Sequence, residues 1–93
     1  MSLAPDLHQE LANALKVKVE RRFRQATRPG APGAYDPKGT MARLVRELAA
    51  ELENEESRHR ANGDLTAANA FIAVREELLD EVAARVLSDH GTA

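Results

Sequence analysis

The sequence predicts an all-α fold of three helices. The second and third form an antiparallel hairpin, and the first is packed on it or exchanged across a dimer. Three observations carry this expectation. Ala, Leu, Glu and Arg are plentiful, β-branched residues are few, and the only aromatic rings of Phe and Tyr are Phe23, Tyr35 and Phe71. Such a composition favours helix, because these side chains lose little rotamer freedom there. Apolar residues recur at helical spacing in three segments. Between those segments lie two clusters of helix-breaking residues, at 27–39 and at 62–64.

Helix 1 is expected over about 5–26. Pro5 suits a first turn, where its missing N–H would have no partner anyway. Leu7, Leu11, Leu15, Val19 and Phe23 recur every four residues, and Ala12, Ala14 and Ala26 widen their stripe. Val17 lies off it. The segment TRPGAPGAYDPKG (27–39) holds three of the four prolines and three of the five glycines. It reads as a long loop, able to return helix 1 to its own hairpin or to send it to a second subunit. Helix 2 is expected over about 40–61, with Asp36-Pro37 or Thr40 at its start. Met41, Leu44, Val45, Leu48 and Leu52 give it one buried face. Gly63 supplies a left-handed helix stop, and Asp64 or Thr66 a cap for helix 3 at about 65–89. The stripe of helix 3 is Ala68, Phe71, Ile72, Leu78, Leu79, Val82, Ala83 and Val86, with Val74 on its flank and Arg75 near its middle. Pairing outward from Gly63 sets Leu52 near Val74 and Leu48 near Leu78. One hairpin cannot hide both apolar stripes, so helix 1 must cover the rest.

The 93 residues make a single domain, 1–93, with a core modest enough to invite self-association. Cysteine is absent, which excludes disulfides, thiolate metal sites and cysteine nucleophiles. No apolar run approaches the ~18 residues of a membrane span, and the N-terminus does not pair basic residues with an apolar run. A cytoplasmic protein without membrane contact is therefore expected. The net charge of −2 hides an asymmetry. Residues 1–46 carry nine Lys/Arg against four acids; residues 47–93 carry four Arg against eleven acids. The halves can neutralise each other within one fold or between subunits.

Four groups of residues are candidates for function. Glu56 and His59 have the E-x-x-H spacing, which sets both on one helix face. In these residues the chain is similar to small ferritin-like hairpins that assemble an iron site between subunits, a resemblance that implies Glu56 and His59 as metal ligands. The structural alternative is a solvated helix end, where His59 and Arg60 complement the helix dipole. Arg75 stands among apolar residues and needs a carboxylate or an exit to water. The hairpin register offers Glu51 and Glu55, making Arg75, Glu51 and Glu55 a candidate buried ion pair. Lys16, Lys18, Arg21, Arg22, Arg24 and Arg28 form a basic patch suited to phosphates or an acidic protein surface. The apolar residues Leu7, Leu11, Leu15, Val19 and Phe23 are candidates for an intersubunit contact.

Other readings find less in the residues. Tyr35-Asp36-Pro37 resembles a step of small all-α chorismate mutases, but Lys38-Gly39-Thr40 follows where their pattern has Arg-Glu. Glu55-Glu56 and Glu77-Asp80 are similar to the acidic pairs of all-α nucleotide pyrophosphohydrolases, yet the acids of helix 3 lie mostly opposite its apolar stripe. Gly63-Asp64 followed by Ala68 and Ile72 resembles a tetratricopeptide turn, of which a stack needs about three. No catalytic residue or cofactor is assigned, and the residues lean away from an enzyme without deciding the question. The expected function is a small protein-interaction or regulatory module, acting through a homodimer or an acidic protein partner. A ferritin-like metal-binding assembly and an anion- or nucleic-acid-binding helix 1 are the alternatives.

Overall fold

A computed structural model describes residues 4–91. These are almost entirely helical, in three helices, with no strand among the described residues. Helix α1 spans Pro5–Thr27, α2 spans Pro37–Ala61, and the third helix is built of α3 (Leu65–Ala73), a π-helical turn (Val74–Leu78) and α4 (Leu79–Asp89).

Each boundary follows from local chemistry. α1 has Pro5 in its first turn, and it ends where Arg28 takes the extended backbone that Pro29 demands of its predecessor. α2 begins at Pro37, the earlier of the two starts the sequence offers and three residues before the one at Thr40. The reason is that the Asp36 carboxylate accepts the Gly39 N–H at 3.1 Å, a cap that makes proline the first helical residue. At its other end Gly63 has φ +80, the Gly63 N–H donates to the Arg60 carbonyl at 3.1 Å, and the Asp64 N–H donates to that of His59 at 2.9 Å. Those paired bonds close the helix with a left-handed glycine. One residue later the Asp64 side chain accepts the Ala67 N–H at 3.0 Å and starts α3.

The segment expected as a loop is itself partly helical and tightly packed. A 3₁₀ turn, Pro32–Tyr35, sits between the end of α1 and the start of α2. The buried Thr40 hydroxyl donates to the Gly33 carbonyl at 3.2 Å. A Cβ on Gly33 would run into the Ala26 carbonyl oxygen, so only glycine lets the two backbones approach this closely.

The core draws on all three helices: Ala12, Leu15, Val19 and Phe23 from α1; Met41, Leu44, Leu48 and Leu52 from α2; Val74, Leu78, Leu79, Val82, Ala83 and Val86 from the third helix. Phe23, Leu48, Leu78 and Val86 are almost wholly enclosed. Full burial of side chains of this size contributes about 1.5–3 kcal/mol each. α2 touches α1, α3, the π turn and α4, and α1 also touches α4.

The π turn changes one part of the sequence reading. Ala73 and Val74 are buried, and so are Leu78 and Leu79, two pairs five residues apart. An α-helix brings residues three or four apart onto one face, whereas a π turn does so for residues five apart, through i→i+5 hydrogen bonds. The Leu79 N–H accordingly donates to the Val74 carbonyl. Val74 thus belongs to the core rather than its flank, Phe71 and Ile72 are only half-buried, and Arg75 turns off the apolar stripe that a plain α-helix would have put it in.

Candidate interaction surface

The α1 stripe divides along its length. Leu15, Val19 and Phe23 are buried in the chain's own core, Leu11 is half-buried, and Leu7 is 41% exposed. Most of that stripe therefore already has a partner in cis. The face of α1 turned away from the core is different: Val17 is 60% exposed, and it lies with Lys16, Glu20, Arg21, Arg24 and Gln25 along a shallow depression. Aliphatic stems of long cationic side chains form walls of this kind while their charged heads stay in water.

The six basic residues are not equivalent. Lys16 pairs with Asp89 of α4 at 3.0 Å, and Arg24 pairs with Glu20 one turn back at 2.7 Å. Arg22 forks onto Glu51 of α2, with Nη2 2.8 Å from Oε1 and Nη1 bonded to Oε2. Lys18 adds a looser contact to the same carboxylate at 3.8 Å. Hydrogen bonding from Arg22, then the Arg22 and Lys18 charges, hold the Glu51 carboxyl below the ordinary carboxylate range against some desolvation. The Arg22 guanidinium is raised in turn, chiefly by its bond to Glu51. Arg21 and Arg28 are exposed and, among the described residues, have no ion-pair partner.

Arg75 finds a carboxylate, but neither of the two expected. Its Nη1 donates to Glu56 Oε1 at 3.3 Å, with a weaker 3.9 Å approach to Glu76. Glu51 is taken by Arg22, and Glu55 pairs with Arg58 at 2.9 Å. The cause is side-chain direction. Helical side chains lean toward the helix N-terminus, and for the third helix that end is the 62–64 turn. Arg75 therefore reaches back past the level of Glu51 and Glu55. In the same way Phe71 lies against His59, ring centroids 5.3 Å apart and nearly parallel.

The E-x-x-H pair is thereby absorbed into packing. The Glu56 side chain is only 14% exposed and accepts from Arg60 at 2.8 Å as well as from Arg75. His59 stacks on Phe71, and its Nδ1 is 3.9 Å from Asp64. Among the described residues no three His, Asp or Glu side chains gather closely enough to hold a metal ion. Nor is any helix among them long and apolar enough to cross a membrane.

The residue that sequence reasoning passed over is Val17. It falls off the apolar stripe, and that is the signal that marks it: an isolated β-branched residue between two lysines, on the side of the helix the core does not use. No family model matches the chain, and neither the curated proteins nor the solved structures compared with it include a match.

Proposed function

We propose that this chain is a small helical association module whose working surface is the outer face of α1. Its scaffold is the antiparallel hairpin of α2 with the third helix, capped in cis by α1. The packed 3₁₀ turn between α1 and α2, with Gly33 against Ala26 and Thr40, favours capping in cis over exchange. The working form is a cytoplasmic homodimer.

One observation carries the reading: Val17 is exposed on the face opposite the core, in a depression whose other lining residues are all polar or charged. An apolar centre with a charged rim is the common anatomy of a protein contact. The metal alternative loses ground because Glu56 is engaged by two guanidinium groups. The nucleic-acid alternative uses the same basic face and is separated by experiment.

Light scattering across a concentration series is the test. The chain is expected to approach twice its monomer mass as concentration rises, and Val17→Glu to stay monomeric with unchanged helicity. A monomer at every concentration refutes the homodimer. Retardation of DNA or RNA at low salt, abolished by Arg21→Glu with Arg24→Glu, moves the assignment to nucleic acid.

A further inference from the structure

We propose that α1 in the homodimer packs on the α1 of the second copy, antiparallel, about a two-fold axis that passes between the levels of Ala14 and Val17. Glu10 of each copy then meets Arg21 of the other, and Ala14 meets Val17. The inference rests on the association reading above and supplies the register of that contact.

Three observations carry the register. The first is where these residues sit. Glu10, Ala14, Val17 and Arg21 are all exposed in the single chain. At about 100° per residue they gather on one side of the helix, opposite the Ala12, Leu15, Val19 and Phe23 that fill the core. A second helix can therefore lie along this stripe without displacing α2 or the third helix.

Spacing is the second, because the stripe reads the same from either end. Its intervals are four, three and four residues, the repeat of one helix face. Reversed about its midpoint, the stripe falls on itself, apolar on apolar in the middle and acid on arginine at both ends. A two-fold axis perpendicular to α1 performs that reversal and brings the helix onto its own copy, so the charged contact is made twice. An isologous contact of this kind closes on itself instead of growing into a filament. A register seven residues further toward the C-terminus sets Arg21 level with Val17 and Ala14 level with Arg24, which leaves the apolar centre facing arginines.

The third is charge. Among the described residues Glu10 and Arg21 belong to no ion pair. They stand about three turns, roughly 16 Å, apart along one helix and do not meet within the chain. The other cations around them are already held: Arg24 by Glu20 at 2.7 Å, Lys16 by Asp89 at 3.0 Å, and Lys18 and Arg22 by Glu51. In this register Arg24 lies level with Leu7 and Lys18 level with Asn13. Among the described residues no like charges are set level, and Glu10 with Arg21 is the one pair of opposite charges that is.

Exchanging the two charges tests this with the full chain. Two small apolar residues from each copy make a weak dimer, so sedimentation equilibrium is run up to about 1 mM protein at low salt. Arg21→Glu is expected to weaken association about tenfold, because attraction becomes repulsion in both copies of the contact. Glu10→Arg is expected to do the same. Combining both substitutions in one chain should restore wild-type association, and so should mixing the two single variants, since opposite charges meet again in each case. Circular dichroism checks that every variant stays helical, and Glu10→Gln or Arg21→Gln, which add no repulsion, should weaken the dimer less. A combined variant and a mixture that associate as weakly as the single variants overturn the register. Single variants that associate like the wild type overturn it too, but leave association itself standing. A wild-type chain that never dimerises overturns both.

Discussion

α1 and the third helix both lean on α2, and each sends one guanidinium to a carboxylate on it: Arg22 to Glu51, Arg75 to Glu56. They solve the problem of covering α2 differently. α1 places Ala12, Leu15, Val19 and Phe23 in the core at intervals of three and four, and stays α-helical through 23 residues. The third helix places Ala73-Val74 and Leu78-Leu79 there at intervals of five, and contains a π turn between those pairs. The spacing of the apolar residues, more than any propensity of Val, Arg, Glu or Leu, decides which helix forms. A π turn has poorer hydrogen bonding than an α turn and persists only where packing rewards it. Here it lets both pairs into the core and keeps Arg75 out of it.

Single-residue deletion tests this contrast with the largest effect. In α1 nothing can absorb a lost residue. Deleting Val17 rotates Leu15 and Ala12 by about 100° relative to Val19 and Phe23, so one half of the stripe leaves the core. The expected cost is about 2–4 kcal/mol, the burial of the Leu15 side chain plus the single methyl of Ala12. Deleting Glu76 in the third helix removes the surplus residue instead. The π turn becomes an ordinary α turn, the buried pairs fall four apart, and the cost stays within about 1 kcal/mol, as for a surface change. Urea unfolding of both variants measures the difference, and equal losses would show that the π turn has no relation to the core spacing.

How much of this was visible beforehand depends on which force decided each feature. The helix count, the stop at Gly63 and the caps at Asp36 and Asp64 were legible, because each is settled within a few residues by backbone geometry and one side-chain acceptor. The buried half of α1 was legible from its period. The partner of Arg75 was not, because a register drawn through Cα positions ignores the lean of long side chains and the residue gained in the π turn. The five-residue interval between Val74 and Leu79 was present in the sequence, but it was read as a flank and a gap in a stripe assumed to be α-helical. The role of Glu56 was obscured by the E-x-x-H spacing, which a helix end with an internal ion pair produces equally well.

The two arginine–carboxylate contacts sharpen the comparison at a smaller scale, because their burial differs. Glu56 is 14% exposed and Arg75 26%. Removing Glu56 leaves the Arg75 charge, in a partly enclosed place, only its loose 3.9 Å approach to Glu76, whereas removing Arg75 leaves Glu56 with Arg60 at 2.8 Å. Glu56→Ala is therefore expected to cost about 1–3 kcal/mol. Arg75→Leu should fall within about 1 kcal/mol of the wild type or be stabilising, since an apolar residue of similar bulk there carries no desolvation cost. Thermal melting of both variants decides it, and equal, negligible effects would mean that the contact is incidental.

The smallest effect belongs to the contact with the better geometry. Arg22 and Glu51 form a two-bond fork, but their side chains are 31% and 44% exposed, and solvent screens them. Exposed pairs contribute at most about 1 kcal/mol. The sign of their pH dependence follows from the Glu51 carboxyl, which is held below its ordinary value of 4.5 in the fold. An unfolded chain then binds this proton more readily than the folded one does. Stabilisation is complete above about pH 4.5 and disappears as pH falls through the lower, folded value. Arg22 stays charged throughout that window and adds no slope of its own. Arg22→Gln removes the cause of the shift, so its stability difference from the wild type should be greatest near neutral pH and shrink in acid. High salt should shrink it at any pH. For Glu56→Ala the salt response should be weaker, because the partly enclosed pair is less screened. Should the two variants respond alike to salt, burial would not be what separates the two contacts.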